Sequence, residues 1–196
     1  MEALYRKLKE EAEKLRANIP EPSFYKLYRV ELDKSLTALT TSDILRHCIN
    51  HLNITQEGLG HGFEHSRAVA IEAGALVLIE AKNYGVPERE KQKLVLLAHI
   101  AGLLHDIKRG QKNHAVLASQ EVPKHLDCLD LNPDEIEYIR VDIRNHEAFH
   151  DTVPPPDNRG KLLSDCLYDA DKFRWGPDNF TTTIWQMLEY GKVSPE

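Results

Sequence analysis

Leu94-Val95-Leu96-Leu97-Ala98-His99-Ile100-Ala101-Gly102-Leu103-Leu104-His105-Asp106 is the stretch that decides the fold of this chain. The run is apolar on almost every side, so residues 88 to 107 are predicted to form the most hydrophobic helix and to lie at the centre of the molecule. It closes on an imidazole next to a carboxylate. His65 upstream and Asp171 downstream can add a second imidazole and a second carboxylate, a mixed nitrogen and oxygen set able to hold one metal ion.

Working outward, the flanking segments also carry helical periodicity. Leu4, Leu8, Ala12 and Leu15 mark an amphipathic helix from Glu2 to about Asn18, and Pro20 and Pro22 interrupt it. A short helix is expected around Phe24 to Leu32, although Phe24 to Val30 is ambiguous between helix and strand. Ser42-Asp43 precedes Ile44, Leu45, Cys48, Ile49 and Leu52, again a helical pattern. The connection Glu57-Gly58-Leu59-Gly60-His61-Gly62 leads into a longer helix from about Phe63 to Tyr84. Gly74 inside it costs roughly 1 kcal/mol against alanine unless it permits close packing. Gly85 ends that helix, and Pro87 suits the first turn of the next.

Asn132-Pro133-Asp134-Glu135 combines a capping asparagine, a first-turn proline and a glutamate at N3, the clearest helix start in the chain. The helix runs toward His146. Asp151 to Gly160, with its three prolines, is expected to be a loop. Leu162, Leu163, Cys166, Leu167 and Ala170 mark a helix ending near Asp171, and a last one is expected from Phe180 to Tyr190. No run alternates convincingly as a strand. The fold expected is therefore all-α, a single-domain helical bundle.

Composition narrows the class. The 196 residues, 41% hydrophobic and 29% charged, suit one folded globular domain. A net charge of −6 argues against long nucleic acid as a partner, because that affinity rests on many Lys and Arg contacts. A small anionic substrate remains compatible, since a bound divalent ion dominates the local potential. No segment approaches the roughly 20 apolar residues of a membrane span, and the start lacks the pattern of a signal peptide. A cytoplasmic location and no membrane partner are expected. Cys48, Cys128 and Cys166 form no CxxC pair and read as small core residues.

Three blocks resemble the HD superfamily of metal-dependent phosphohydrolases, in that family's order. They are Gly62-Phe63-Glu64-His65-Ser66-Arg67-Ala68-Val69, Ala101-Gly102-Leu103-Leu104-His105-Asp106-Ile107, and Tyr168-Asp169-Ala170-Asp171-Lys172-Phe173. The resemblance covers roughly residues 60 to 175. It implies a bundle of the HD-domain type over 56–192, with residues 1–55 as N-terminal helices packed on it. First-metal ligands then map to His65, His105, Asp106 and Asp171, with Asp171 preferred to Asp169. Asn113-His114-Ala115 and Arg144-Asn145-His146-Glu147 resemble the extra histidine blocks of dinuclear members, which implies Asp106 as a bridge and His114 with His146 at a second ion. His125 is the spare candidate for His114. Ile107-Lys108-Arg109-Gly110 departs from the isoleucine, glycine and lysine of many dinuclear relatives.

The activity so implied is hydrolysis of a nucleotide or other small phosphorylated metabolite by a metal-activated water, using one or two divalent ions of Mn, Fe, Mg, Co, Ni or Zn. Lys108, Arg109, Lys112 and Arg144 are candidates to bind phosphate, and Asp106 to orient the water. Two other outcomes of the same ligand set are a diiron oxygenase and a noncatalytic metal-binding regulatory module. A homo-oligomer is compatible with the sequence. Among the other histidines, His47, His51 and His150 read as surface residues, His99 as a buried hydrogen-bonded one and His61 as a loop residue. Glu64 and Glu147 are expected to face water.

Overall fold

The computed structural model describes residues 2–52, 62–127 and 129–173, with positions 181, 184, 185 and 188 besides. Among them the chain is a single-domain, all-α bundle without strands, its helices being α1 (Glu2–Ala17), α2 (Ser23–Leu27), α3 (Arg29–Thr41), α4 (Asp43–Leu52), α5 (Phe63–Glu80), α6 (Glu88–Leu104), α7 (His114–Leu126), α8 (Pro133–Asn145) and α9 (Asn158–Phe173). The ambiguous stretch from Phe24 to Val30 is helical, divided at Tyr28 between α2 and α3.

The second half of α6 is buried without interruption from Leu97 to Leu104, which is why its sequence has no polar face there. It packs against α5, α8 and α9, while α7 lies on α8 and α3 covers α5. Lys93 on α6 reaches Glu135 on α8 at 3.0 Å. The contact between α5 and α6 is very close at Gly102. A Cβ there would lie 2.5 Å from the Cα of Ala70, so only glycine lets the two backbones meet. Gly74 is explained in the same way, because a Cβ would come within 2.4 Å of both His99 Nε2 and Ser35 Oγ.

The asparagine start at α8 forms as its sequence predicts. Asn132 accepts from the amide of Glu135, and the Glu135 carboxylate accepts from the amide of Asn132, both at 3.0 Å. Three segments differ from the periodicity. α3 continues to Thr41, well past Leu32, because its buried face is only Leu32, Ser35 and Leu39, too sparse a stripe to stand out. α7 carries Pro123 in its interior, a residue that ordinarily marks a helix boundary, and no helix is expected there from sequence. α9 begins at Asn158, inside the stretch expected to be loop.

α1 keeps its amphipathic pattern, yet Leu4, Leu8 and Leu15 are exposed. Tyr5 on α1 meets Trp185 edge-on at 6.3 Å. No helix among the described residues is long and apolar enough to cross a membrane. The expected final helix, His61 and Cys128 lie outside the described residues, apart from the four C-terminal positions named above.

Candidate metal centre

Five helix ends meet at one pole of the bundle. His65 is in the first turn of α5, His105 caps the C-terminus of α6, and His114 opens α7 after Asn113, which adopts the left-handed conformation at φ 60°. His146 caps the C-terminus of α8, and Asp171 lies in the last turn of α9. Three of these ends are C-terminal, where the helix dipole favours positive charge.

The side chains converge in two groups. His65 Nε2 lies 3.3 Å from Asp171 Oδ1, and His105 Nε2 lies 3.9 Å from the same oxygen. Asp106 stands between this pocket and a second one. Its Oδ2 faces His105 Nε2 at 3.5 Å, while its Oδ1 faces His114 Nε2 at 3.3 Å and His146 Nε2 at 3.5 Å. His114 and His146 bring their Nε2 atoms to 3.3 Å of each other. All of these residues are buried.

Backbone carbonyls decide how the imidazoles present themselves. His105 Nδ1 lies 2.8 Å from the carbonyl of Gly102, and His146 Nδ1 lies 2.7 Å from that of Ile143. A carbonyl oxygen only accepts, so each Nδ1 carries the proton and donates it. In a neutral ring each Nε2 is then a bare lone pair aimed at a carboxylate oxygen or at another imidazole. Such contacts between acceptors repel unless a proton or a metal cation lies among them.

The titration behaviour expresses the same tension. Burial alone would push the Asp106 carboxyl up, but His105, His114 and His146 outweigh it and hold the group well below the usual range. Asp171 is likewise held down against burial, by His65, His105, Lys172 and His146. Burial pulls His105 down, yet Asp106, Asp171 and the Gly102 carbonyl overcome this and raise it to about 9. His146 is lowered, burial being the larger influence. In the metal-free chain a proton on His105 therefore takes the part of a cation.

Two cations of the protein flank the cluster. Lys172 Nζ holds Asp171 Oδ2 at 2.6 Å, leaving Oδ1 toward His65 and His105. Arg109 Nη1 lies 3.1 Å from His114 Nε2 and 3.6 Å from Asp106 Oδ1. Lys108 is turned away and pairs with Glu121 at 2.6 Å. Arg144 is half-buried on α8, and Lys112 is exposed.

Other sequence-nominated residues fall outside the cluster. Asp169 is exposed while Asp171 is buried within it. His125 pairs with Glu121 one turn earlier on α7 at 3.6 Å, and His47 is exposed. His99 is buried, with Nε2 2.8 Å from Ser35 Oγ, and Ser35 donates to the carbonyl of Ile71 at 2.7 Å. Cys48 and Cys166 are buried and join neither donor group. Glu64 is exposed as expected. Glu147, expected to face water, instead lies partly buried with Oε1 3.7 Å from His114 Nδ1 and 3.3 Å from His150 Nε2.

Asp142 is a residue that the sequence reading passed over. It is fully buried on α8, one turn before His146, and neither carboxylate oxygen has a hydrogen-bond partner among the described residues. Burial raises its carboxyl well above the ordinary range. The available signal was its spacing, since residues four apart on a helix share a face.

The donor set fits a metal ion. His65, His105 and Asp171 form one group and His105, Asp106 and His146 another, with ligand atoms in each group within 4.8 Å of one another. Four imidazoles and two carboxylates suit a divalent ion of intermediate softness. Comparison of the chain with protein-family models, curated proteins and solved structures finds no match in any of the three. The class that the fold and site define is thus a helical domain with a histidine and aspartate cluster able to coordinate a metal ion.

Proposed function

We propose that this chain is a metal-dependent phosphohydrolase of the HD type, acting on a nucleotide or another small phosphate ester. The observation that carries the proposal is the buried Asp106 carboxylate, one oxygen facing His105 and the other facing His114 and His146. A carboxylate divided in this way suits a bridge between two cation positions. His65, His105, Asp106 and Asp171 would hold one ion, and His114, His146 and Asp106 outline a second cation position. Imidazole-rich donors favour Mn, Fe, Co, Ni or Zn over Mg, which prefers oxygen.

The bound metal would supply Lewis-acid charge and an acidified water at neutral pH. The protein's own groups do the rest. Gly102 and Ile143 fix two imidazole tautomers through their carbonyls. Lys172 holds the Asp171 carboxylate in place. Arg109 and Arg144 offer planar N–H donors for the nonbridging phosphate oxygens. Asp106, kept ionised by its imidazole neighbours, is placed to accept a hydrogen bond from the attacking water. Lys108, tied to Glu121, would contribute only by leaving that partner.

The test is anaerobic purification with metal quantification, followed by phosphate release from nucleoside monophosphates and p-nitrophenyl phosphate by the parent, His105→Ala and Asp171→Ala chains. Metal-dependent release that falls at least about a hundredfold in both variants is expected, since either change removes a ligand from a buried charged site. Oxygen consumption without phosphate release would replace the hydrolase with a diiron oxygenase. Bound metal with neither reaction, across a broad panel of esters, would leave a noncatalytic binding module.

A further inference from the structure

We propose that Arg109 is a built-in occupant of the second cation position, so that the native chain holds one metal ion, in the pocket of His65, His105 and Asp171. The inference rests on reading the cluster as a metal centre, and it assigns to this chain a ratio of one ion where that reading admits two. His114 Nε2, His146 Nε2 and Asp106 Oδ1 form a triangle with sides of 3.3, 3.3 and 3.5 Å. Arg109 Nη1 touches two of its corners, at 3.1 Å from His114 Nε2 and 3.6 Å from Asp106 Oδ1. The guanidinium thus lies on the same nitrogen that a second ion would need.

The chemistry of that group makes the contact durable. Guanidinium stays charged at any pH the protein meets, has only donors, and cannot ligate a metal. It therefore neutralises Asp106 and satisfies the His114 lone pair, as a cation would, while competing with one. A divalent ion entering this corner would meet a full positive charge at contact distance.

The first pocket is built differently. Lys172 binds Asp171 through Oδ2, the oxygen turned away from His65 and His105, so its ammonium steadies the carboxylate without covering the ligating edge. Lys108, the other cation of the same turn, is held off by Glu121. Arg109 alone among these three touches an atom of a proposed ligand set that faces the other ligands. With a side chain 30% exposed, its remaining N–H groups stay open to a phosphate oxygen.

The experiment is calorimetric titration of the metal-free chain with Mn2+, and separately with Zn2+, alongside metal analysis after desalting, for the parent, Arg109→Gln and Arg109→Lys. Circular dichroism checks that each variant is folded. One tight ion per chain is expected for the parent. For Arg109→Gln two are expected, the second bound at least about tenfold more tightly than in the parent, because a neighbouring unit charge is gone. Exchange-coupled Mn2+ should then broaden the electron paramagnetic resonance signal in Arg109→Gln only, and adding His146→Ala should restore one ion. Arg109→Lys keeps the charge and should stay nearer the parent. A parent that binds two ions tightly, or an Arg109→Gln chain that still binds one, would overturn the role of Arg109 and leave the metal centre standing. A parent that binds no ion would overturn the metal centre itself.

Discussion

His99 shows how one buried residue couples this fold to pH. Ser35 spends its hydroxyl proton on the carbonyl of Ile71, so His99 must donate from Nε2 to Ser35 Oγ, and Gly74 leaves the space for both. Burial lowers this imidazole from 6.5 to about 4. Above pH 6.5 neither the folded nor the unfolded chain is charged there, and the residue contributes nothing to the pH dependence. Between 6.5 and 4 the unfolded chain takes up a proton that the folded one refuses, so stability falls by up to about 1.4 kcal/mol per pH unit. The total loss is of the order of 3 kcal/mol. Urea unfolding at pH 7, 5.5 and 4.5 should show this decline in the parent and a shallower one in His99→Gln, which keeps a donor but does not titrate. Equal declines in both chains would show that His99 is not the group responsible.

At the scale of elements, the α5 and α6 contact sets the spacing of the centre. His65 rides on one helix and His105 on the other, and Gly102 lets their backbones touch. The same Gly102 supplies the carbonyl that orients His105. A methyl group at this position would meet the Ala70 backbone, which cannot rotate aside, so the helices must separate. Gly102→Ala is expected to lose about 1 to 3 kcal/mol of stability. It should also weaken metal binding at least about tenfold, because a shift of a few tenths of an ångström spoils ligand geometry. Denaturant unfolding and metal titration test the two effects together, and a variant matching its parent in both would refute the spacing argument.

For the whole molecule, a metal ion bound at this pole would compete with protons and so be linked to folding. In the metal-free chain His105 is raised from 6.5 to about 9, so it gains a proton's worth of favourable interaction on folding. The sign follows from the raised value: this stabilisation is complete below pH 6.5 and is lost as the pH climbs through 9. A metal ion must displace that proton. Its apparent affinity should therefore rise with pH, by up to about tenfold per unit until 9, with proton release on binding. Metal at a hundred times its dissociation constant adds about 2.7 kcal/mol to folding. Thermal melts from pH 6 to 9.5 should thus show the metal-free chain weakening while the metal-loaded chain gains relative to it. Melting points that ignore both chelator and pH would contradict the linkage.

Local sequence determined the helical class, the central apolar helix from Leu94, and the capped start at Asn132, because periodicity and capping act between residues a few positions apart. The sequence also offered His65, His105, Asp106 and Asp171 as a donor set, and the resemblance to the HD superfamily added His114 and His146, although nothing local dictates that six residues on five helices share one pole. The long α3 and the proline-bearing α7 escaped it, since packing against neighbours stabilises those helices beyond what their own patterns announce. Only the tertiary structure decided which way each lone pair points, how Asp106 divides its two oxygens, and that Glu147 and Arg109 turn inward to His114 while Lys108 turns to Glu121. Those outcomes depend on rotamers and on distances through space between segments remote in the chain, and no spacing along the sequence encodes either.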